Sequence, residues 1–241
     1  LEESIVRPRS RCPRCRRPIA WYDNVPVLSY LLLRGRCRHC RTPISPRYAL
    51  VELLTALLFF LVWRQYGLDV RTPVYWLVVS GLIVGTFVDF EHMILPDRVT
   101  LGGIALGLVL STALPSLQAA SSHLQALQRS VIGASTGVLL LWGVGALGKL
   151  VFRKEAMGLG DVKLLGAVGA FFGRQGVAFA VMGSSLAGSV VGLVLIAFGG
   201  HRWQSRIPYG PYLALATLVW LLWGHQWWAA YVAWLQAAPM V

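Results

Sequence analysis

The sequence is short of charge, and above all of acidic charge. Of its 241 residues 13% are charged and only ten are Asp or Glu, whereas 56% are hydrophobic and the mean hydropathy is +0.61. About a quarter of the residues in soluble domains are charged. A globular protein with as few charged residues as this one would expose large apolar patches to water. The many apolar residues also exclude a disordered chain. These observations predict a protein that resides in a lipid bilayer.

Several familiar catalytic and nucleotide-binding motifs are absent as well. There is no Gly-x-Ser-x-Gly, no His-Glu-x-x-His and no Walker A motif, and no Rossmann-type glycine pattern follows a predicted strand. All four cysteines lie within residues 12–40, in a pattern that indicates metal binding and leaves no spare thiol nucleophile. Aspartates are therefore the remaining candidates for catalysis.

The charge that is present is concentrated at the start of the chain. Residues 1–47 hold eleven arginines against three acidic residues. We therefore expect a small polar segment at 1–47 and a transmembrane domain at 48–241. A basic segment could bind nucleic acid, and would then do so in a salt-dependent way. Ahead of membrane helices it more often marks the cytoplasmic side and contacts anionic lipid, so we expect membrane lipids and no nucleic acid as partners.

Uncharged runs after residue 47 alternate with short charged loops. They predict an all-α polytopic membrane protein with seven transmembrane helices. These helices are expected near residues 48–66, 73–90, 98–115, 129–150, 162–174, 176–199 and 209–236. With residues 1–47 inside, the alternation places loops 89–97, 149–163 and 200–207 on the cytoplasmic side, where positive residues belong. Clusters of small residues at 133–137 and 183–188 predict close helix packing.

Two Cys-x-x-C pairs, separated by 21 residues, form the first chemical motif. They are Cys12 with Cys15 and Cys37 with Cys40. Four thiolates on two tight turns can hold a structural zinc ion in a tetrahedral site with no open position. Disulfides are the alternative, which a reducing cytoplasmic location disfavours. His39 is expected to be a bystander.

Two aspartates at predicted helix ends form the second motif. Asp89 ends one helix, and Asp161 follows Gly158-Leu159-Gly160 at the start of another, on the same predicted membrane face. Ionisable groups at a membrane boundary are candidate functional residues. Two carboxylates that share a proton can act as base and acid on a water that attacks a peptide carbonyl. Asp161 could equally be a helix cap.

Two further acidic residues have simpler explanations. Asp97 competes with Asp89, but Pro96-Asp97 is typical of a helix start, with Arg98 as a local ion partner. Glu52 is expected in the first turn of the first helix, where the helix N-terminus stabilises a negative charge. Glu91 and His92 could tune the site or be solvated loop residues.

At this point the sequence resembles a known family, the type 4 prepilin peptidases of the bacterial inner membrane. The resemblance extends from about residue 7 to residue 211. It rests on the two cysteine pairs, on the segments 19–30, 33–40, 44–48 and 51–55, on Asp89-x6-Pro96-Asp97, on Gly158-Leu159-Gly160-Asp161-Val162-Lys163-Leu164 and on Ile207-Pro208-Tyr209-Gly210-Pro211. The family usually opens with a further transmembrane helix, giving eight. That helix is missing here, and residues 7–10 resemble the stretch that follows it.

The resemblance implies a bifunctional enzyme. It implies an aspartic endopeptidase at the cytoplasmic face that cleaves the leader of type IV prepilins and type II secretion pseudopilins after a glycine. It also implies N-methylation of the new N-terminal residue with S-adenosylmethionine, at a site that the resemblance does not identify. The family pattern assigns catalysis to Asp89 and Asp161, and zinc to Cys12, Cys15, Cys37 and Cys40.

A polytopic transporter or scaffold is the alternative. Its membrane aspartates would relay protons or bind a cation, and the cysteine motif would dock a partner. Transporters often contain internal repeats with interrupted helices, and the sequence has no convincing repeat. Neither the sequence nor the resemblance predicts the oligomeric state.

Overall fold

The computed structural model describes residues 10–153, 157–198 and 208–237, and within these ranges its regular structure is helical apart from two isolated β-bridges. The chain divides into two compact units, Leu1–Phe60 and Leu61–Val241. The α-helices, numbered α1 to α8, are Leu28–Leu32, Pro46–Tyr66, Arg71–His92, Asp97–Ala113, His123–Phe152, Leu159–Ala197, Gly210–Val219 and His225–Ala237. The all-α architecture is therefore as predicted.

The first unit contains two similar hairpins, α1 and most of α2. One isolated bridge closes each hairpin, between Arg11 and Pro18 and between Arg36 and Pro43. In each hairpin the first cysteine donates its backbone N–H to the carbonyl five residues later, over 3.0 Å from Cys12 and 2.9 Å from Cys37. The repeated pattern turns both cysteine pairs in the same way.

Four helices are long and apolar enough to cross a membrane, and they identify a multi-pass membrane protein. They are Pro46–Tyr66, Arg71–His92, His123–Val151 and Leu159–Ala197. Seven membrane spans were predicted, and three features explain why only four of the described helices are long and apolar enough by themselves. α4 has 17 residues, α6 is 39 residues long and contains a non-helical residue at Gly173, and α7 continues through a π-helical turn, Trp220–Gly224, into α8. Seven spans are consistent with this arrangement.

The break in α6 is surrounded by polar side chains. Gly173 has φ 66°, a conformation that glycine adopts without steric cost. One turn earlier, the carbonyl of Ala170 accepts hydrogen bonds from Ser111, Gln118 and Ser130, over 2.9, 2.8 and 2.6 Å. Buried carbonyls require partners, so side chains from three other parts of the chain stabilise the interrupted helix.

Small residues bring α5 and α6 into backbone contact, as the clusters predict. A methyl group added at Gly133 would collide with the carbonyl oxygen of Gly169, and one at Gly169 with that of Gly133. In the second cluster, a methyl group at Gly183 would lie 3.0 Å from the Cβ of Ala216 in α7. Membrane helices pack closely where side chains are small.

Helix α5 begins six residues earlier than expected. The Gln- and Ser-rich connection predicted at 115–128 contains a short 3₁₀ turn, Pro115–Gln118, and α5 starts at His123. The hydroxyl of Ser122 caps it by accepting the N–H of Gln125 over 3.2 Å, as N-terminal serines do. The predicted basic loop 200–207 lies outside the described residues. Residues 154–156 of the predicted loop 149–163 also lie outside them.

Candidate active site and cysteine cluster

Asp89 lies in the last turn of α3 and is buried, with 6% of its surface exposed. No described group meets full hydrogen-bond geometry with its Oδ2 atom, although the backbone N–H of Gly210 is close enough to interact with the carboxylate. Gly210, the first residue of α7, faces this atom, since a methyl group at Gly210 would lie 2.6 Å from it. A buried carboxylate oxygen without a partner is costly in a structural role, and it points to a chemical one.

Asp161 lies in the first turn of α6, between two glycines and the rest of the helix. The helix begins at Leu159, and Gly158 is its N-cap, with no side-chain cap bond. Asp161 is therefore not the cap residue, although a carboxylate in the first turn interacts favourably with the helix N-terminus. A methyl group added at Gly158 would lie 3.5 Å from Asp161 Oδ2. Because Gly158 has no side chain, nothing from this residue covers the side of the carboxylate that faces it.

One cavity of about 300 Å³ brings the two aspartates together. It is lined by Asp89 and Asp161, with residues 93–95 after α3 and Gly158-Leu159-Gly160 at the start of α6. Gly160 makes the close approach possible, because a methyl group there would lie 3.0 Å from the Cβ of Leu95. Both carboxylates therefore lie where α3 ends and α6 begins, and the membrane face on which this cavity opens stays a prediction.

Asp97 also lines the cavity, but it is exposed and paired. Its Oδ1 accepts a hydrogen bond from Lys163 Nζ over 2.6 Å. Asp97 is in the first turn of α4, as Pro96-Asp97 predicts. The prediction that Arg98 is the ion partner is wrong. The ion pair instead joins α4 to α6, where Lys163 follows Asp161 by two residues.

Glu91 and His92 do not line this cavity. They belong to the last turn of α3 and are exposed, and the His92 Nε2 atom lies 3.8 Å from Glu91 Oε2. The functional position that reasoning from residue chemistry missed is Gly210, which only the resemblance included. A Pro-Tyr-Gly-Pro break before an apolar run was the available signal, and it indicates a helix start without showing what the glycine faces.

The four cysteine sulfurs lie within 4.8 Å of one another, and Cys12 Sγ is 3.7 Å from Cys40 Sγ. Zn–S bonds of about 2.3 Å in a tetrahedron place sulfurs roughly 3.8 Å apart. The cluster could therefore hold a metal ion, with Cys12, Cys15, Cys37 and Cys40 as ligands. His39 is not part of it and instead lies 3.3 Å from Arg17 through Nδ1.

The thiols do not ionise equally readily. The hydroxyl and backbone N–H of Thr42 lower the pKa of Cys40 to about 6, and backbone N–H groups of Cys15 and Arg14 lower the pKa of Cys12. The backbone N–H of Arg17 also lowers the pKa of Cys15, but burial and the neighbouring sulfurs outweigh it and raise that pKa to about 11. Four thiolates this close together need a cation between them.

An ion pair braces the second hairpin. Arg38 donates two hydrogen bonds to Asp23, from Nε over 2.7 Å and from NH2 over 2.5 Å, and this guanidinium lowers the pKa of the Asp23 carboxyl. Two-point pairing of this kind fixes orientation as well as distance. It ties the Cys37-Cys40 turn to the short 3₁₀ helix Trp21–Asn24.

Comparison with known proteins matches two separate parts of the chain. Residues 1–66 match the bacterial peptidase A24 N-terminal domain, and residues 76–193 match the type IV leader peptidase family. Similar proteins include those named prepilin leader peptidase/N-methyltransferase in Aeromonas hydrophila, 42% identical over 92% of this chain and 73% of the relative, and in Stutzerimonas stutzeri, 39% identical over 95% and 76%. A third, from Pseudomonas aeruginosa, is 38% identical over 92% and 74%. No solved structure matches.

Proposed function

Because this chain belongs to the type IV leader peptidase family, we propose that it is a bifunctional membrane enzyme that processes prepilins. It removes the leader peptide of type IV prepilins and type II secretion pseudopilins after a glycine, and it then methylates the new N-terminal amino group. The names of its relatives, which join the two activities, support both parts.

The observation that carries the peptidase activity is the shared cavity of Asp89 and Asp161. One carboxylate, ionised, accepts a proton from a water molecule as the water oxygen attacks the scissile carbonyl carbon. The other, protonated, donates to the carbonyl oxygen. The first carboxyl group then gives the proton it took from water to the leaving nitrogen as the C–N bond breaks, and the second takes a proton back from the hydroxyl group that becomes the new carbonyl, so both return to their starting states. The unpartnered Oδ2 of Asp89 is available for one of these roles.

The surroundings of the cavity suit a peptide substrate. Gly158 and Gly160 line it without side chains, and the uncovered side of Asp161 at Gly158 would admit an extended backbone with a small residue before the cleaved bond. The cavity lies where α3 ends and α6 and α7 begin. A prepilin carries a basic leader before an apolar helix, so its cleavage site lies at the cytoplasmic surface of the inner membrane, and we assign the cavity to that surface.

The cysteine cluster is proposed to bind a structural zinc ion. Cys12, Cys15, Cys37 and Cys40 would hold it and fill all four positions of a tetrahedral site. Zinc would supply a cross-link between the two hairpins and no water activation, because no position stays open. Residues 1–47 would then form the cytoplasmic zinc-binding segment and residues 48–241 the transmembrane peptidase domain.

S-adenosylmethionine would supply the methyl group for the second activity. In that step the deprotonated N-terminal nitrogen forms the new N–C bond, the S–C bond breaks to leave a neutral thioether, and the nitrogen releases a proton. Since a peptide α-amino group has a pKa of about 7.7–8.0, a useful fraction of it is neutral at physiological pH.

Mass spectrometry of a prepilin incubated with the detergent-solubilised enzyme and S-adenosylmethionine tests the proposal. We expect loss of the leader and a further gain of one methyl group. Asp89→Asn and Asp161→Asn should each reduce cleavage by about 10³-fold or more, whereas Asp97→Asn, which removes only an exposed ion pair, should be much milder. Full cleavage by Asp89→Asn with loss in Asp97→Asn would overturn the assignment of the aspartates.

A further inference from the structure

Helix α1 turns its apolar side outward and its polar side inward. Leu28, Leu31 and Leu32 are exposed to 54%, 65% and 74%, and spacings of three and four residues place them on one face. Ser29 is buried instead, and its hydroxyl donates a hydrogen bond to the carbonyl of Tyr22 over 2.9 Å. A surface helix of a globular protein turns its apolar stripe toward the core. The leucine face of α1 therefore needs an apolar environment outside the first unit.

Two aromatic side chains extend this apolar surface. Trp21 and Tyr22, in the short 3₁₀ helix before α1, are 83% and 51% exposed, and their rings meet edge to face with 5.7 Å between centroids. This 3₁₀ helix contacts α1. Isolated apolar side chains on a protein surface are ordinary, whereas a contiguous group of them marks an interaction site. The leucine–tryptophan patch comprises Trp21, Tyr22, Leu28, Leu31 and Leu32.

A hydrogen bond fixes α1 beside the start of α2. Val27, the residue before α1, donates its backbone N–H to Glu52 Oε2 over 2.9 Å. Val27 has φ 58°, a conformation that is rare and strained for a β-branched residue. Such strain persists where the surrounding structure enforces it. The bond to Glu52 therefore holds the patch at a defined level along α2.

The level of Glu52 is that of a membrane boundary. α2 is one of the helices that are long and apolar enough to cross a membrane. Its 21 residues extend over about 31 Å, close to the roughly 30 Å of bilayer hydrocarbon. Glu52 lies about 9 Å from the first residue of this helix, Pro46. Helices that lie in the membrane interface bury their apolar face about 5–10 Å into the headgroup and acyl boundary, which is the depth at which α1 is held.

Two features of the surroundings identify lipid as the occupant. Leu50, Leu53 and Leu57 of α2 are each more than half exposed, so the apolar surface continues from the level of the patch along a membrane-spanning helix. The charge around the patch is positive, since Arg34 and Arg36 follow α1 and are exposed, in a segment of eleven arginines and three acidic residues. Arginines beside an apolar face are attracted to anionic headgroups.

We propose that the leucine–tryptophan patch inserts into an anionic phospholipid surface, on the side of the bilayer where α2 begins. The cysteine hairpins are then held against the membrane. Sequence alone indicated lipid contact through the arginines. The structure adds the apolar side chains that enter the bilayer and the bond to Glu52 that sets their depth. This interaction does not depend on the proposed peptidase and methyl-transfer activities.

Photo-cross-linking from the patch tests the proposal. Trp21→p-benzoylphenylalanine exchanges one large aromatic group for another in the full chain, which is reconstituted in nanodiscs of phosphatidylcholine and phosphatidylglycerol with and without prepilin. Mass spectrometry identifies what the label captures. We expect phospholipid adducts, at least about tenfold more abundant than those from His39→p-benzoylphenylalanine, because His39 is exposed but lies outside the patch. Equal zinc content in the two labelled proteins confirms that both are folded.

Loss of apolar surface without a change of charge tests the leucines. Burial of one leucine side chain favours insertion by about tenfold or more. Leu31→Gln combined with Leu32→Gln should therefore lower the lipid adducts of the Trp21 label at least about tenfold. Leu68→Gln is the matched control, because Leu68 is fully exposed in the connection between α2 and α3, and it should leave the adducts unchanged.

The lipid composition tests the role of charge. In nanodiscs of phosphatidylcholine alone we expect the adducts to decrease about fivefold for each arginine that meets an anionic headgroup. Equal yields in neutral and anionic nanodiscs would overturn the preference for anionic lipid.

Other outcomes would overturn the proposal as a whole. They are capture of prepilin or of a second copy of the chain in place of lipid, equal lipid adducts from the labels at Trp21 and His39, and adducts that the leucine substitutions do not change. Cleavage of prepilin in the same nanodiscs is measured separately, so failure of the membrane interaction leaves the proposed peptidase standing.

Discussion

At the scale of single residues, the contact between Asp89 and Gly210 determines whether the proposed active site can form. A methyl group at Gly210 would lie 2.6 Å from Asp89 Oδ2 and 3.4 Å from a methyl carbon of Leu95. Gly210→Ala must therefore displace the carboxylate. We expect kcat/KM for prepilin cleavage to fall at least about tenfold, or 1.4 kcal/mol, because a misplaced base or acid loses its alignment with the peptide.

Gly102→Ala is the matched control for that prediction. Gly102 lies in α4 with nothing within 4 Å of an added methyl group, so its substitution should leave cleavage unchanged. Thermal unfolding of both variants distinguishes a displaced carboxylate from a damaged fold. Wild-type activity in Gly210→Ala would show that the Asp89 oxygen facing Gly210 has no part in the reaction.

The chemistry of the site was more predictable than its contacts. Asp89 and Asp161 stood out because ionisable groups are rare in the apolar part of the sequence, and their shared side followed from counting helices. The pairing of Asp97 with Lys163, 66 residues apart, was not predictable, because local sequence favours the neighbouring Arg98. Glu52 was placed one turn too early in its helix, and its bond to Val27 depends on a loop conformation that has no sequence pattern.

At the scale of the helices, backbone contact between α5 and α6 forms the main internal interface of the second unit. We expect Gly133→Val to lower the free energy of unfolding by about 3 kcal/mol or more. Overpacking typically costs about 1–3 kcal/mol, and here the opposing atoms are the backbone of Gly169 and Gly173, which cannot rotate away. Thermal or denaturant unfolding in detergent measures the change.

Gly143→Val on the same helix serves as the comparison. Nothing lies within 4 Å of a methyl group at Gly143, so this variant should unfold within about 1 kcal/mol of wild type, as is typical where a substitution makes no new contact. Equal destabilisation by both substitutions would mean that the low helix propensity of valine, and not the α5–α6 contact, lowers the free energy of unfolding.

Helix positions were predictable to within a few residues where apolar runs end at charges. The interruption near residue 175 was expected because the charged Arg174 separates two uncharged runs, and the structure places it at Gly173. The start of α5 was missed because residues 123–128 are polar by composition, although Ser122 is a good cap. Hydrophobicity shows where a helix crosses the bilayer, and it does not show how far the helix continues outside.

At the scale of the whole molecule, the cysteine cluster and the aspartate cavity belong to different compact units. We expect Cys12→Ser to lower zinc content and to reduce methylation at least about tenfold while leaving most of the cleavage, because the aspartate cavity belongs to the other unit. Elemental analysis of zinc, together with separate assays of cleavage and methylation, measures the three quantities on one preparation.

His39→Ala is the control for zinc content. His39 adjoins Cys40 but lies outside the cysteine cluster, so the protein should keep its metal. Loss of cleavage equal to the loss of methylation in Cys12→Ser would show that zinc supports the entire molecule and not the first unit alone.

The contact of Gly210 with Asp89 also has a consequence for biosynthesis. Asp89, Asp161 and Gly210 come from α3, α6 and α7, and a ribosome delivers these helices in that order. A nascent chain that already holds both aspartates still lacks the residue that packs against the first of them. With the aspartates acting as proposed, we expect cleavage to become possible only once α7 has been synthesised, and an incompletely translated chain not to cleave its neighbours.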